Sequence, residues 1–171
     1  MLFRSKSIGL PVRFVELDNE VYLSEAVYIR RFANGKAYAL DCNQWMTSIR
    51  KEFPGVQIAV SGYSAKPSDD DKPGISRALN WNREVLGSLK GADAMTFHLY
   101  GGSGLSFMRG TSGNGDKATA MQAAFDKGNA TSVILGQPFQ RWNNSVAYDS
   151  RLLPSGMKAW YTEYNLFERE G

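Results

Sequence analysis

Cysteine and histidine are nearly absent from this 171-residue chain, which has one of each, Cys42 and His98. A single cysteine excludes an internal disulfide framework. One His with one Cys cannot supply the four His and Cys ligands of a structural zinc site, so no metal is expected. No run approaches the roughly eighteen consecutive apolar residues of a membrane span, and no membrane partner is expected. Residues 1–11 (MLFRSKSIGLP) carry neither a sustained apolar h-region nor a small-residue cleavage site, so no signal peptide is expected there. A large excess of one charge is also missing, since 20 Lys and Arg against 17 Asp and Glu give +3. The basic residues Arg30, Arg31, Lys36, Arg50 and Lys51 are scattered rather than gathered with aromatics on one stripe, which argues against a nucleic-acid partner.

What is present is an ordinary globular composition, 43% hydrophobic and 22% charged, long enough for one well-buried core over residues 1–171. Four segments rich in β-branched and aromatic residues read as strands: 12–20, 56–62, 92–100 and 157–165. Between the first two, Tyr38, Cys42, Trp45, Met46, Ile49 and Phe53 recur at helical spacing before Pro54-Gly55, which predicts a helix over 35–53 with Cys42 on its buried face. A second helix is expected between Pro73 and Gly91, and a third over 116–127, with 130–135 continuing that layer less regularly. Strand and helix in alternation predict an α/β fold with parallel strands. Function is then expected in the loops after strand C-termini, two of which, 63–72 and 101–115, are long.

Polar residues gather at those ends. Glu20 closes the first segment, His98 and Tyr100 the third, and Glu163 the fourth. Strict period-two alternation puts Glu16, Asp18 and Glu20 on one face, and Thr96, His98 and Tyr100 on another. It sets Glu163 with Tyr161, and turns Trp160 and Thr162 toward the helices. Carboxylates on interior strand faces need partners, and that need marks a candidate site. Two carboxylates at equivalent strand ends are also what glycoside hydrolysis requires, one as proton donor and one as nucleophile.

Three elements carry a family resemblance. Glu16-Leu17-Asp18-Asn19-Glu20 resembles the E-x-G-N-E signature at the fourth strand of clan A retaining glycoside hydrolases, of the arabinofuranosidase-like type. His98-Leu99-Tyr100 resembles the H-x-Y element of the sixth strand, and Trp160-Tyr161-Thr162-Glu163-Tyr164-Asn165 is similar to the W-x-T-E-x-N pattern of the seventh. Asp18 stands where that signature has Gly. The resemblance implies a (β/α)8 barrel of which this chain covers strands four to seven, about two-thirds by length. It implies an O-glycosyl hydrolase with Glu20 as acid/base, Glu163 as nucleophile, Asn19 bonding the sugar 2-hydroxyl, Tyr100 holding Glu163 and His98 lining the pocket. The implied partner is a polysaccharide or oligosaccharide, with no cofactor, and the parent protein is expected to be secreted or periplasmic. Little activity is expected of four strands alone.

Other readings stand beside these. Trp81 and Trp142, each next to asparagines, are candidates for stacking on sugar rings, although core or helix packing is the stronger reading of both. Lys117 falls one position late for a phosphate loop, and Gly101-Gly102-Ser103-Gly104-Leu105 lacks the last glycine of a nucleophile elbow. A relative that binds carbohydrate without turnover would keep the same cleft.

Overall fold

The computed structural model describes residues 6–9, 11–64, 77–101, 117–128 and 130–166. The chain order is β1 (Phe14–Leu17), α1 (Ala26–Arg31), α2 (Gly35–Glu52), β2 (Gln57–Ser61), α3 (Arg77–Leu86), β3 (Ala94–Gly101), α4 (Lys117–Asp126), α5 (Ala130–Leu152) and β4 (Lys158–Leu166). The four strands form one sheet in the order β1-β2-β3-β4, every neighbour parallel. The fold is α/β, as the alternation predicts. Most of the two long loops, the start of the second predicted helix and the two near-miss motifs lie outside the described residues.

Helix α2 begins where Asn34 accepts a hydrogen bond from the Ala37 N–H at 2.9 Å, which satisfies one of the free donors of the first turn. Its buried stripe of Tyr38, Ala39, Cys42, Met46 and Ile49 packs on Val15, Leu17, Ile58, Val60, Met95 and Phe97 of the sheet. Gly35 lets α2 approach α3 closely, because a Cβ there would fall 2.7 Å from the Trp81 carbonyl oxygen. Helix α5 runs 23 residues through Gly136 and Pro138, well beyond the 130–135 that the sequence marked.

The other face of the sheet carries small residues, Ala59, Ser61, Ala94 and Thr96, all buried. Above them the two edge strands meet. The rings of Phe14 (β1) and Trp160 (β4) lie 5.5 Å apart edge-on, and Thr162 Oγ1 reaches Glu16 Oε1 at 3.5 Å. Side chains of strands three places apart in the sheet touch only if the sheet curls toward that face, so this face is concave. Trp160 and Thr162 therefore point into the curl, which corrects the expectation that they face helices. Tyr161 takes the helix side instead, packed on Phe97 with ring centres 5.8 Å apart.

Two further expectations on faces fail for a local reason. The first strand ends at Leu17, and Asp18 and Glu20 both adopt left-handed backbone, φ +66° and +48°. Glu16, Asp18 and Glu20 thus share no strand face. Glu20 sits in a tight turn closed by the Leu23 N–H donating to its carbonyl at 2.9 Å.

Candidate active site

The C-terminal ends of β1 and β2 are fastened by groups sent up from the helices. The Tyr38 hydroxyl donates to the Leu17 carbonyl and accepts from the Ser61 N–H at 2.8 Å. Trp81 Nε1 donates to the Ser61 carbonyl at 2.9 Å, and the Asn82 amide clasps both backbone groups of Tyr63, at 2.8 and 2.7 Å. Arg77 donates to the Val21 carbonyl at 2.8 Å while its guanidinium lies over the Trp81 ring. The turn bearing Glu20 is therefore tied to α3.

Onto that frame four predicted side chains converge from three strand ends. His98 is buried, its side chain 4% exposed, and its Nδ1 lies 2.8 Å from Glu20 Oε1 and 3.5 Å from Glu163 Oε2. Tyr100, half exposed, donates its hydroxyl to Glu163 Oε2. That bond to a carboxylate raises the Tyr100 phenol above its ordinary value, so it stays protonated and remains a donor. One donor atom each from Glu20, His98 and Glu163 lies within 4.8 Å of the others.

A single irregularity puts Glu163 there. Phe97 pairs with Tyr161, yet His98 pairs with Glu163, so Thr162 is an extra residue on β4. This is a β-bulge, which re-aims the side chains beyond it. Without it Glu163 would share the face of Tyr161, as period-two alternation had it, and that face is the helix side.

The remaining predicted residues divide. Asn19 is exposed beside Glu20. Trp81 is fully buried, its ring against Tyr38 and its N–H spent on Ser61, so it cannot stack on a sugar and is corrected to a core residue. Trp142 packs edge-on against Tyr164 at 6.2 Å and against Phe139 on α5. Tyr164 alternates with Glu163 along β4, which puts Trp142 on the opposite side of the strand from the site.

Sequence reasoning missed Tyr22. Its hydroxyl donates to Glu20 Oε1 at 2.9 Å, and its ring, 6% exposed, lies 5.3 Å from that of Tyr63. A phenol two residues beyond Glu20 is its only mark in the sequence. The metal reading had weighed His and Cys alone, whereas two carboxylates with one imidazole also form a donor set. Ions bound at about 2.0–2.2 Å hold neighbouring ligands roughly 3–4 Å apart, and Glu20, His98 and Glu163 are within small movements of that.

Among the described residues, no helix is long and apolar enough to cross a membrane. Neither protein-family models nor curated proteins match this chain.

Proposed function

We propose that the convergence of Glu20 and Glu163 is the catalytic centre of a retaining glycoside hydrolase, with the curled parallel sheet forming strands four to seven of a (β/α)8 barrel. The observation that carries this reading is the pair itself. Two carboxylates reach one point from opposite edges of the sheet, with an imidazole between them and oxygens within 4.8 Å. Retaining enzymes hold their two carboxyl groups about 5–5.5 Å apart, close enough for one to attack the carbon whose leaving oxygen the other protonates.

In the first step Glu163 attacks the anomeric carbon through Oε1, since Oε2 is held by Tyr100. The bond to the leaving oxygen breaks as Glu20 transfers its proton to that oxygen. In the second step Glu20 takes a proton from water, whose oxygen displaces the Glu163 carboxylate and frees the sugar. Asn19, exposed next to Glu20, serves as hydrogen-bond partner for the sugar 2-hydroxyl. The substrate class is an oligosaccharide or polysaccharide, and the chemistry needs two carboxylates and water.

The test is a panel of aryl glycosides and polysaccharides with the parent protein that carries the remaining barrel strands, and with its Glu20→Gln and Glu163→Gln variants. The reading expects hydrolysis with retained anomeric configuration, reduced at least about 10³-fold in either variant. Inverted product, or turnover untouched by Glu163→Gln, overturns it. Binding of sugars without any release favours a carbohydrate-binding relative instead.

A further inference from the structure

We infer that Tyr22 is a positioning residue for Glu20, fixing which of its oxygens carries the travelling proton. The inference rests on the hydrolytic reading above, and goes beyond it by giving a function to a residue outside the three sequence elements.

Glu20 Oε1 receives two donors, the Tyr22 hydroxyl at 2.9 Å and His98 Nδ1 at 2.8 Å. Both contacts fall on the same oxygen, so the proton exchanged with the sugar and with water passes through Oε2. Glu163 is treated in the same way at the other side of the site, with Tyr100 on its Oε2. Each carboxylate thus has one oxygen pinned by a phenol and one left for chemistry, and the imidazole between them touches both pinned oxygens.

The position of the Tyr22 hydroxyl is itself fixed. The ring is buried in the core cluster and packs on Tyr63, whose backbone is clasped at both polar groups by Asn82. Burial first, and then the Glu20 carboxylate, push this phenol well above its ordinary range, so it acts only as a donor. The groups facing Glu20 are Tyr22 in its own turn, His98 and Tyr100 from β3 and Glu163 from β4, with Asp18 turned toward Arg31 of α1. A bond donated to a carboxylate favours its ionised form. Removing the Tyr22 hydroxyl takes one such donor from Glu20 Oε1 and leaves His98 Nδ1 alone on it.

Tyr22→Phe removes the hydroxyl and keeps the ring. In the full chain with carbon-13 labelled glutamate, the Glu20 carboxyl should titrate about one pH unit higher in Tyr22→Phe than in the parent. For a glycoside that the parent hydrolyses, the alkaline limb of kcat/KM should move up by the same amount, with kcat/KM down about tenfold at its optimum. Tyr63→Leu, which loosens the ring's support, should shift the titration in the same direction by less. Superimposable titrations in parent and Tyr22→Phe overturn the inference, as does lowered activity with an unmoved limb, which is what a merely structural tyrosine gives. If Tyr22→Phe does not fold, an unshifted titration in Tyr63→Leu overturns it. If no glycoside is hydrolysed, the hydrolytic reading fails while the carboxyl titration still decides whether Tyr22 governs Glu20.

Discussion

His98 stands opposite Glu163 in the β3–β4 register although Phe97, one residue earlier, stands opposite Tyr161. With Thr162 in place, the site depends on that offset. Deleting Thr162 removes the extra residue, and Glu163, then directly after Tyr161, falls by regular alternation on the face opposite Tyr161 and stays across from His98. The expected outcome is turnover kept within about tenfold of the unaltered chain, in contrast to the loss of at least about 10³-fold expected of removing the nucleophile. Circular dichroism should still report strands and helices, because the pairings from Ala94–Lys158 to Phe97–Tyr161 precede the bulge.

Asp18 holds left-handed backbone at φ +66°, a conformation that favours glycine, and the resembling signature has Gly there. Its carboxylate gains little in exchange, since the nearest cation, Arg31, is 3.9 Å away and exposed. Asp18→Gly should therefore stabilise the fold by about 0.5–1 kcal/mol, raising Tm by a few degrees. Asp18→Ala should lower Tm, which a pair of thermal melts checks.

The Tyr38 hydroxyl serves two backbone groups at once, the Leu17 carbonyl and the Ser61 N–H. Tyr38→Phe leaves a buried donor and a buried acceptor without that partner, at a cost of about 2–3 kcal/mol. Chemical denaturation should show that loss, and activity should fall further than stability alone explains, because the same hydroxyl ties the β1 end that leads into Glu20.

Burial raises the Cys42 thiol to about 12. Its folded value lies above its unfolded one, so the unfolded thiol loses its proton first and rising pH favours unfolding from about 9 up to about 12. Tyr161, pushed by burial to about 12, adds to the same alkaline loss from about 10 upward. Below pH 8, Cys42 should react with a thiol reagent only in denaturant. Rapid labelling of the native chain would contradict its place on the buried face of α2.

Two carboxylates and water suffice for the proposed chemistry, so prolonged dialysis against a chelator should leave hydrolysis unchanged. Activity lost to the chelator and restored by a divalent ion would reassign Glu20, His98 and Glu163 as ligands of a cation.

The sequence made the architecture legible wherever local chemistry governs it. β-Branched runs marked all four strands, and the Tyr38–Phe53 stripe closed by Pro54-Gly55 marked α2 nearly to the residue. The site residues Glu20, His98, Tyr100 and Glu163 were visible because each ends a strand segment. Their faces were not, because alternation assumes an unbroken ladder, and one inserted residue at Thr162 and two left-handed turns at Asp18 and Glu20 break it. The short helix α1 and the second half of α5 were hidden, the latter because Pro138 and Gly136 are tolerated inside a long helix. Trp81 was ambiguous because its neighbours Asn80 and Asn82 look like sugar ligands, whereas Asn82 bonds backbone.

The central claim is that Glu163 becomes covalently attached to the sugar. Incubation of the parent protein that carries the remaining barrel strands with a 2-deoxy-2-fluoro glycoside bearing a good leaving group, followed by peptide mass spectrometry, tests it directly. A glycosyl adduct on Glu163, absent from Glu163→Gln, is the predicted result. Hydrolysis of the parent glycoside with no adduct, or with the adduct on Glu20 or another residue, would contradict it.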